Sequence, residues 1–157
     1  MENQHLIDEL LVAREALLGE LALVSPESMT TPGLLGEWSG RELIAHLGYW
    51  AGRAVEIIHA AEQGRLEEIG ADEPPTDEVN ETVARVARET DLATVRKRES
   101  ASVEVLVERL RHLDPFLLSQ RLPDGASLEE SIDEEGAAHY RGHADELRAT
   151  VREQPRG

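Results

Sequence analysis

Apolar residues recur every three or four positions along most of the chain, and this spacing constrains the fold more than any other feature. The first stripe runs through residues 2–24 and consists of Leu6, Leu10, Ala13, Leu17, Leu21 and Val24. Such spacing puts apolar side chains on one face of an α-helix and leaves the charged residues outside. The sequence has no alternating strand pattern, internal repeat or glycine-rich phosphate loop. An all-α fold is therefore predicted.

A second helix is predicted from Ser39 to about Gln63. Ser39 and Glu42 have the S-x-x-E spacing of a capping box, and Gly64 suits the C-terminal end. The inner stripe of this helix consists of Leu43, His46, Leu47, Trp50, Ala54 and Ile57. His46 is thus expected on the side of the helix that faces the core.

Two further helical regions follow, at residues 76–113 and 129–152. In the first, the apolar stripe changes phase, which predicts a break near Thr90–Asp91 or near Ser100–Ser102, with one bent helix as the alternative. The second begins with another capping-box spacing, Ser127-Leu128-Glu129-Glu130. Four long amphipathic helices predict a four-helix bundle.

Length and composition agree with one bundle. A chain of 157 residues with 40% hydrophobic residues can bury a core of its own, so residues 1–157 are expected to form a single domain. The last four residues, 154–157, are expected to fray. No apolar run approaches the roughly 20 residues of a membrane span, and the first 24 residues carry acidic charges that a signal peptide lacks. A cytoplasmic protein without a membrane partner is predicted.

Charge and cysteine content narrow the candidate functions. A formal net charge of −16 should repel phosphate backbones, so no nucleic-acid partner is expected. The absence of cysteine excludes disulfides, a cysteine nucleophile and thiolate metal sites. A metal site in this chain would have to use histidine and carboxylate ligands.

Three histidines are predicted on inner helix faces. His139 and His143 are four residues apart, which places their Cβ atoms about 5–6 Å apart on one face of the last helix. Two imidazoles at this spacing can bind one metal ion, or they can hydrogen-bond to neighbouring groups. His46 adds a third imidazole from a second helix, unless it is an ordinary core residue. Zinc, nickel and ferrous iron all accept three imidazoles, so the metal stays open. The remaining histidines, predicted to lie off the inner stripes, are His5, His59 and His112.

Three segments, Trp38–Leu47, Asp77–Asn80 and His139–His143, resemble in order and spacing the motifs of the DinB-like superfamily of metal-binding four-helix bundles. The superfamily includes thiol-dependent transferases and isomerases that use mycothiol or bacillithiol, proteins related to the N-terminal part of maleylpyruvate isomerase, and hydrolases of reactive electrophiles. The resemblance implies that His46, His139 and His143 share one divalent metal ion. It also implies a homodimer.

On this resemblance, the chain is expected to be a metal-dependent enzyme that acts on a small electrophilic metabolite or toxin, as a thiol S-transferase or a hydrolase. Because the chain has no cysteine, a low-molecular-weight thiol would be a cosubstrate. One alternative is a non-catalytic metal-binding or small-molecule-binding protein of a stress response. Another is a structural helical protein with incidental histidines.

Several residues near the triad are candidates for the substrate pocket or for support of the ligands. The candidates for the pocket wall are Trp38, Trp50, Asn80 and Tyr140. Core packing is the alternative for the two tryptophans, and a hydrogen bond at a helix start is the alternative for Asn80. Glu135 and Asp145 flank the histidine pair and could orient a ligand, although both are expected toward the solvated outer face.

Overall fold

The computed structural model describes residues 3–153, with side chains described up to Val151. Within this range the chain forms six α-helices, and short 3₁₀ turns and loops connect them. The helices are α1 (Gln4–Leu21), α2 (Gly40–Glu62), α3 (Thr76–Arg88), α4 (Leu92–His112), α5 (Leu128–Glu135) and α6 (Ala137–Glu153). The all-α prediction is confirmed for the described residues. The predicted fraying of residues 154–157 lies outside them.

The predicted count of four helices is wrong, because two predicted helices are each divided in two. The break near Thr90–Asp91 is confirmed: Asp91 accepts a hydrogen bond from the backbone N–H of Thr94 at 3.0 Å and caps α4. The alternative break at Ser100–Ser102 does not occur, since α4 is continuous there. The last predicted helix is interrupted at Gly136, which separates α5 from α6.

The core lies between two packed helix pairs. α1 packs against α6, α2 packs against α4, and α3 and α5 lie against α2. The predicted stripes meet in one cluster of buried residues, which includes Leu10, Leu17, Leu47, Leu106, Leu110, Ile132 and Leu147. Trp50, predicted on the same stripe, is instead half-buried at the edge of a pocket. Among the described residues, no helix has both the length and the apolar character needed to cross a membrane.

Candidate metal centre

The start of α2 places His46 in the core. The backbone N–H of Ser39 donates to one carboxylate oxygen of Glu42 at 2.9 Å, and the Ser39 hydroxyl donates to the other at 2.9 Å. Both side chains are buried, and the predicted capping box is confirmed. His46 follows Glu42 by four residues and therefore shares its inward face. His46 is only 6% exposed.

A break at Gly136, with φ −112° and ψ −104°, separates α5 from α6 just before the histidine pair. A Cβ atom at Gly136 would lie 2.9 Å from the carbonyl oxygen of Ile132 and 3.5 Å from the side chain of Leu10. A side chain at this position would have to displace the carbonyl group of Ile132, whereas its distance to Leu10 is an ordinary van der Waals contact. α6 then presents His139 and His143 from its first two turns.

The three predicted histidines come together. Nε2 of His46 lies 2.8 Å from Nε2 of His139, and Nε2 of His143 lies 3.1 Å from the same atom. The ring centroids of the three side chains are 4.6 to 5.2 Å apart. Within the described part of the chain, these side chains form a cluster in which one nitrogen from each ring lies within 4.8 Å of the others.

Burial keeps two of the three rings uncharged. Burial, followed by the nearby rings of His139 and His143, lowers the pKa of His46 to about 3. Burial and the ring of His143 lower the pKa of His139 to about 4. Both rings are therefore neutral at pH 7, which is the form of imidazole that binds a metal ion.

The arrangement of nitrogen atoms fits a divalent cation. Nitrogen ligands at about 2.0–2.1 Å in a tetrahedral site lie about 3.3 Å from one another, close to the observed separations. Nδ1 of each ring is buried and has no hydrogen-bond partner among the described residues. A carboxylate oxygen of Glu146 lies 3.4 Å from Nδ1 of His143. The alternative interpretation of the short Nε2–Nε2 distances is that neighbouring rings hydrogen-bond to each other.

A pocket of about 450 Å³ opens beside the three histidines. Three of the four predicted wall residues line it: Trp38, Trp50 and Asn80. The ring of Trp38 lies against His46, with centroids 4.7 Å apart. The indole N–H of Trp50 donates to the side-chain oxygen of Asn80 at 2.8 Å, which ties α2 to α3 across the pocket.

Tyr140 is not a wall residue, contrary to the sequence-based expectation. Its side chain is fully buried, and its hydroxyl donates to the carboxylate of Glu99 at 2.5 Å. Consecutive residues of a helix point about 100° apart, so Tyr140 faces the core while His139 faces the pocket. The role of Glu99 was missed by sequence reasoning, because an acidic residue on an amphipathic helix is expected to face solvent.

Glu135 is closer to the site than its sequence position indicated. It is half-buried and lines the pocket together with Glu134. Burial and then the charge of Glu134 raise the pKa of Glu135 to about 7, despite the opposing charge of Arg53. Its spacing of four residues before His139 was a signal that could have placed it on the same face. Asp145 is exposed, as expected, and contacts Arg148 at 3.4 Å.

The small pocket adjoins a larger groove of about 740 Å³. Both are lined by Trp50, Thr76, Glu134 and Glu135. Arg53 lies in the wall of the groove and contacts Glu73. A small organic molecule that reaches the histidines would therefore have space to extend along α2.

The other histidines lie outside the cluster, as predicted. His59 is exposed on α2. His5 contacts Glu129 at 2.9 Å, and His112 contacts Glu108 at 2.8 Å.

These observations define a class: a helical-bundle protein with a candidate three-histidine metal site. The sequence matches the family of the mycothiol maleylpyruvate isomerase N-terminal domain over residues 10–131, and the chain belongs to this family, within the DinB-like superfamily. The matched range includes His46 and ends before His139 and His143. No curated protein sequence matches the chain at a significant level.

Solved structures share the fold at low sequence identity. The colibactin self-resistance protein ClbS, in complex with double-stranded DNA, is 15% identical, with a TM-score of 0.78 over 98% of this chain and 97% of ClbS. An uncharacterised protein from Escherichia coli UTI89 is 14% identical, with a TM-score of 0.77 over 96% of this chain and 92% of its own. The mycothiol-dependent maleylpyruvate isomerase is 19% identical, with a TM-score of 0.72 over 94% of this chain. The chain spans 61% of that isomerase.

The exclusion of a nucleic-acid partner was wrong. ClbS has the same fold and was solved with double-stranded DNA, so this fold is compatible with a nucleic-acid complex. Net charge is a sum over the surface and says nothing about where the charges lie. In this chain, five exposed cations lie within residues 85–98 of α3 and α4: Arg85, Arg88, Arg96, Lys97 and Arg98. The value of −16 therefore does not exclude contact with phosphate groups.

Proposed function

We propose that this protein is a metal-dependent enzyme that acts on a small electrophilic molecule, by transfer of a thiol or by hydrolysis. The observation that carries the proposal is the convergence of Nε2 from His46, His139 and His143 beside a pocket. A divalent cation held there would act as a Lewis acid and lower the pKa of a bound water or thiol toward neutrality.

The side chains around the histidines suit a small organic substrate. Trp38 and Trp50 offer aromatic surface, and the hydrogen bond to Trp50 holds the side chain of Asn80 at the pocket. The adjoining groove has space for the remainder of a substrate or for a thiol cosubstrate. Because the sequence has no cysteine, the thiol in a transfer reaction must come from a second small molecule.

Glu135 is suited to proton transfer in this pocket. In the metal-free chain the pKa of this carboxyl is about 7, close to neutral pH, so it is suited to accept a proton at a carboxylate oxygen and to return one. Such a group would take the proton from an attacking water or thiol. It would also protonate the product.

The names of related proteins support the proposed thiol chemistry. A relative by family is named as a mycothiol-dependent isomerase, and a protein of the same fold is named as a self-resistance protein for colibactin. The use of a thiol by the isomerase is consistent with a pocket that generates a nucleophile next to a bound electrophile.

The test begins with elemental analysis of protein purified without a histidine tag. We expect close to one equivalent of zinc, nickel or iron, and loss of this metal on treatment with a chelator. Turnover of model electrophiles, with and without added mycothiol or bacillithiol, then distinguishes transfer from hydrolysis. Metal binding without turnover would support the alternative, a non-catalytic binding protein. Absence of metal binding would refute the proposal.

A further inference from the structure

The carboxylate of Glu99 is buried away from solvent and joins three helices. Glu99 lies on α4 and is 3% exposed. Arg14 of α1 donates to it through Nη2 at 2.6 Å and through Nε at 2.8 Å. The hydroxyl of Tyr140, on α6, donates to Oε2 of the same carboxylate at 2.5 Å. Both oxygens of Glu99 are therefore used by groups that lie far apart in the sequence.

This network is connected to both helices that carry the candidate metal ligands. Tyr140 follows His139 in α6, so its hydrogen bond to Glu99 acts one residue from a ligand. On the other side, Gly48 is two residues beyond His46 in α2. A Cβ atom at Gly48 would lie 2.9 Å from the Cα atom of Glu99, so the two backbones are in close contact. Glu99 thus contacts both helices that supply histidines.

The charges in the network are held in place. The hydrogen bond with Glu99 raises the pKa of Arg14, although burial opposes this. Burial and the Glu99 carboxylate raise the pKa of Tyr140, so the hydroxyl keeps its proton and donates it. A buried ion pair generally adds little net stability compared with apolar packing, because desolvation offsets the attraction. The more specific effect of this network is on geometry, because its hydrogen bonds can form in only a few arrangements of the three helices.

We infer that Glu99 is a positioning residue for the three-histidine site: through Tyr140 it fixes the rotation of α6, and thereby the direction of His139 and His143. This inference rests on the proposed metal-binding function. Side-chain tips lie about 5–6 Å from a helix axis, so a rotation of about 20° moves them by about 2 Å. A displacement of this size equals a whole metal–nitrogen bond of about 2.0–2.1 Å. A small rotation of α6 should therefore disturb the positions of the histidine nitrogens that would bind the metal ion.

The test uses Tyr140→Phe, which removes one hydroxyl and keeps the aromatic ring in the core. Glu99→Ala is the more severe variant, but it leaves Arg14 without its buried partner and could unfold the protein. The measurements are the dissociation constants for Co²⁺ and Zn²⁺, the visible absorption bands of the Co²⁺-loaded protein, and stability in urea. For Tyr140→Phe we expect dissociation constants raised about tenfold and altered Co²⁺ bands. Loss of a partner bonded directly to a ligand costs about 10–100-fold, and the Tyr140 bond acts one residue from His139, so the low end of that range applies.

Glu20→Gln is the matched control. Glu20 accepts a hydrogen bond from Arg148 at 3.0 Å and also joins α1 to α6, but Arg148 lies five residues beyond His143. This control should lower stability and leave metal affinity and Co²⁺ bands unchanged. Unchanged affinity and bands in Tyr140→Phe would overturn the inference, and so would equal changes in Glu20→Gln. Failure of the wild-type protein to bind either metal would refute the proposed function, and the inference with it.

Discussion

Acid should destabilise the metal-free protein through His46. The pKa of His46 is about 3 in the folded chain, against an ordinary value of 6.5, so the unfolded state binds the proton first as the pH falls. Stability is therefore lost progressively below about pH 6.5, until the folded ring also titrates. Between pH 6.5 and 4.5 this linkage is worth about 2 kcal/mol for one ring. His139, whose pKa is about 4, acts in the same direction with a similar size.

Glu135 should act in the opposite direction. Its pKa is about 7 in the folded chain, against an ordinary value of 4.5, so the folded state binds the proton first. Its contribution to stability is present at low pH and is lost as the pH rises through 7. Between pH 6.5 and 4.5 it should offset about 2 kcal/mol of the loss due to His46 and His139.

The two effects can be separated by urea unfolding of chelator-treated protein at pH 6.5 and 4.5. Relative to the wild-type protein, His46→Gln should lose about 2 kcal/mol less stability between these pH values, and Glu135→Gln should lose about 2 kcal/mol more. His112→Gln, a change at an exposed ring, should behave like the wild type. The reasoning is refuted if His46→Gln keeps the wild-type pH dependence, or if Glu135→Gln does not steepen it.

Two further predictions test the site and the core. His143→Ala should raise the dissociation constant for zinc by about a hundredfold or more, because one ligand of a zinc site is worth about 3 kcal/mol, whereas His112→Ala should leave it unchanged. Equal affinities in a competition titration would contradict the assignment. Leu106→Ala, at a fully buried position, should cost about 2–5 kcal/mol in urea unfolding, and Val105→Ala, at a position 47% exposed, should stay within about 0.5 kcal/mol. Similar losses in both variants would contradict the assigned direction of the α4 stripe.

The parts of the site that follow from local periodicity were predictable. A helical stripe determines which face of a helix is buried, so the spacing around His46 and the four-residue spacing of His139 and His143 are enough to predict that these rings point inward. The capping box at Ser39 and Glu42 predicts the start of α2 in the same way. The convergence of the rings required more than periodicity. It came from the resemblance to a family of bundles, which placed the two helices face to face.

The parts that depend on contacts distant in sequence were missed. Glu99 was indistinguishable from the many solvated carboxylates of an acidic chain, because its partner Arg14 lies 85 residues away. Tyr140 was assigned to the pocket because it lies next to His139 in the sequence. Its actual hydrogen-bond partner, Glu99, lies 41 residues away. Glu135 was expected in solvent, and its burial comes from the packing of α5 against α2, which local periodicity does not show. A hydrophobic stripe does not show where a helix is interrupted, because the stripe continues across the break.

The break at Gly136 gives the last prediction. Gly136→Ala would place a Cβ atom 2.9 Å from the carbonyl oxygen of Ile132, a backbone atom that cannot move without displacing α5. We expect a loss of about 1–3 kcal/mol in urea unfolding, together with weaker zinc binding, because any shift at the start of α6 reaches His139 within one turn. Gly142→Ala is the matched control in the same helix, where a Cβ atom would meet no atom within 4 Å. That change should stabilise the protein by about 0.5–1 kcal/mol through helix propensity and leave zinc affinity unaltered. If Gly136→Ala binds zinc as tightly as Gly142→Ala, the direction of α6 does not depend on the glycine at the break.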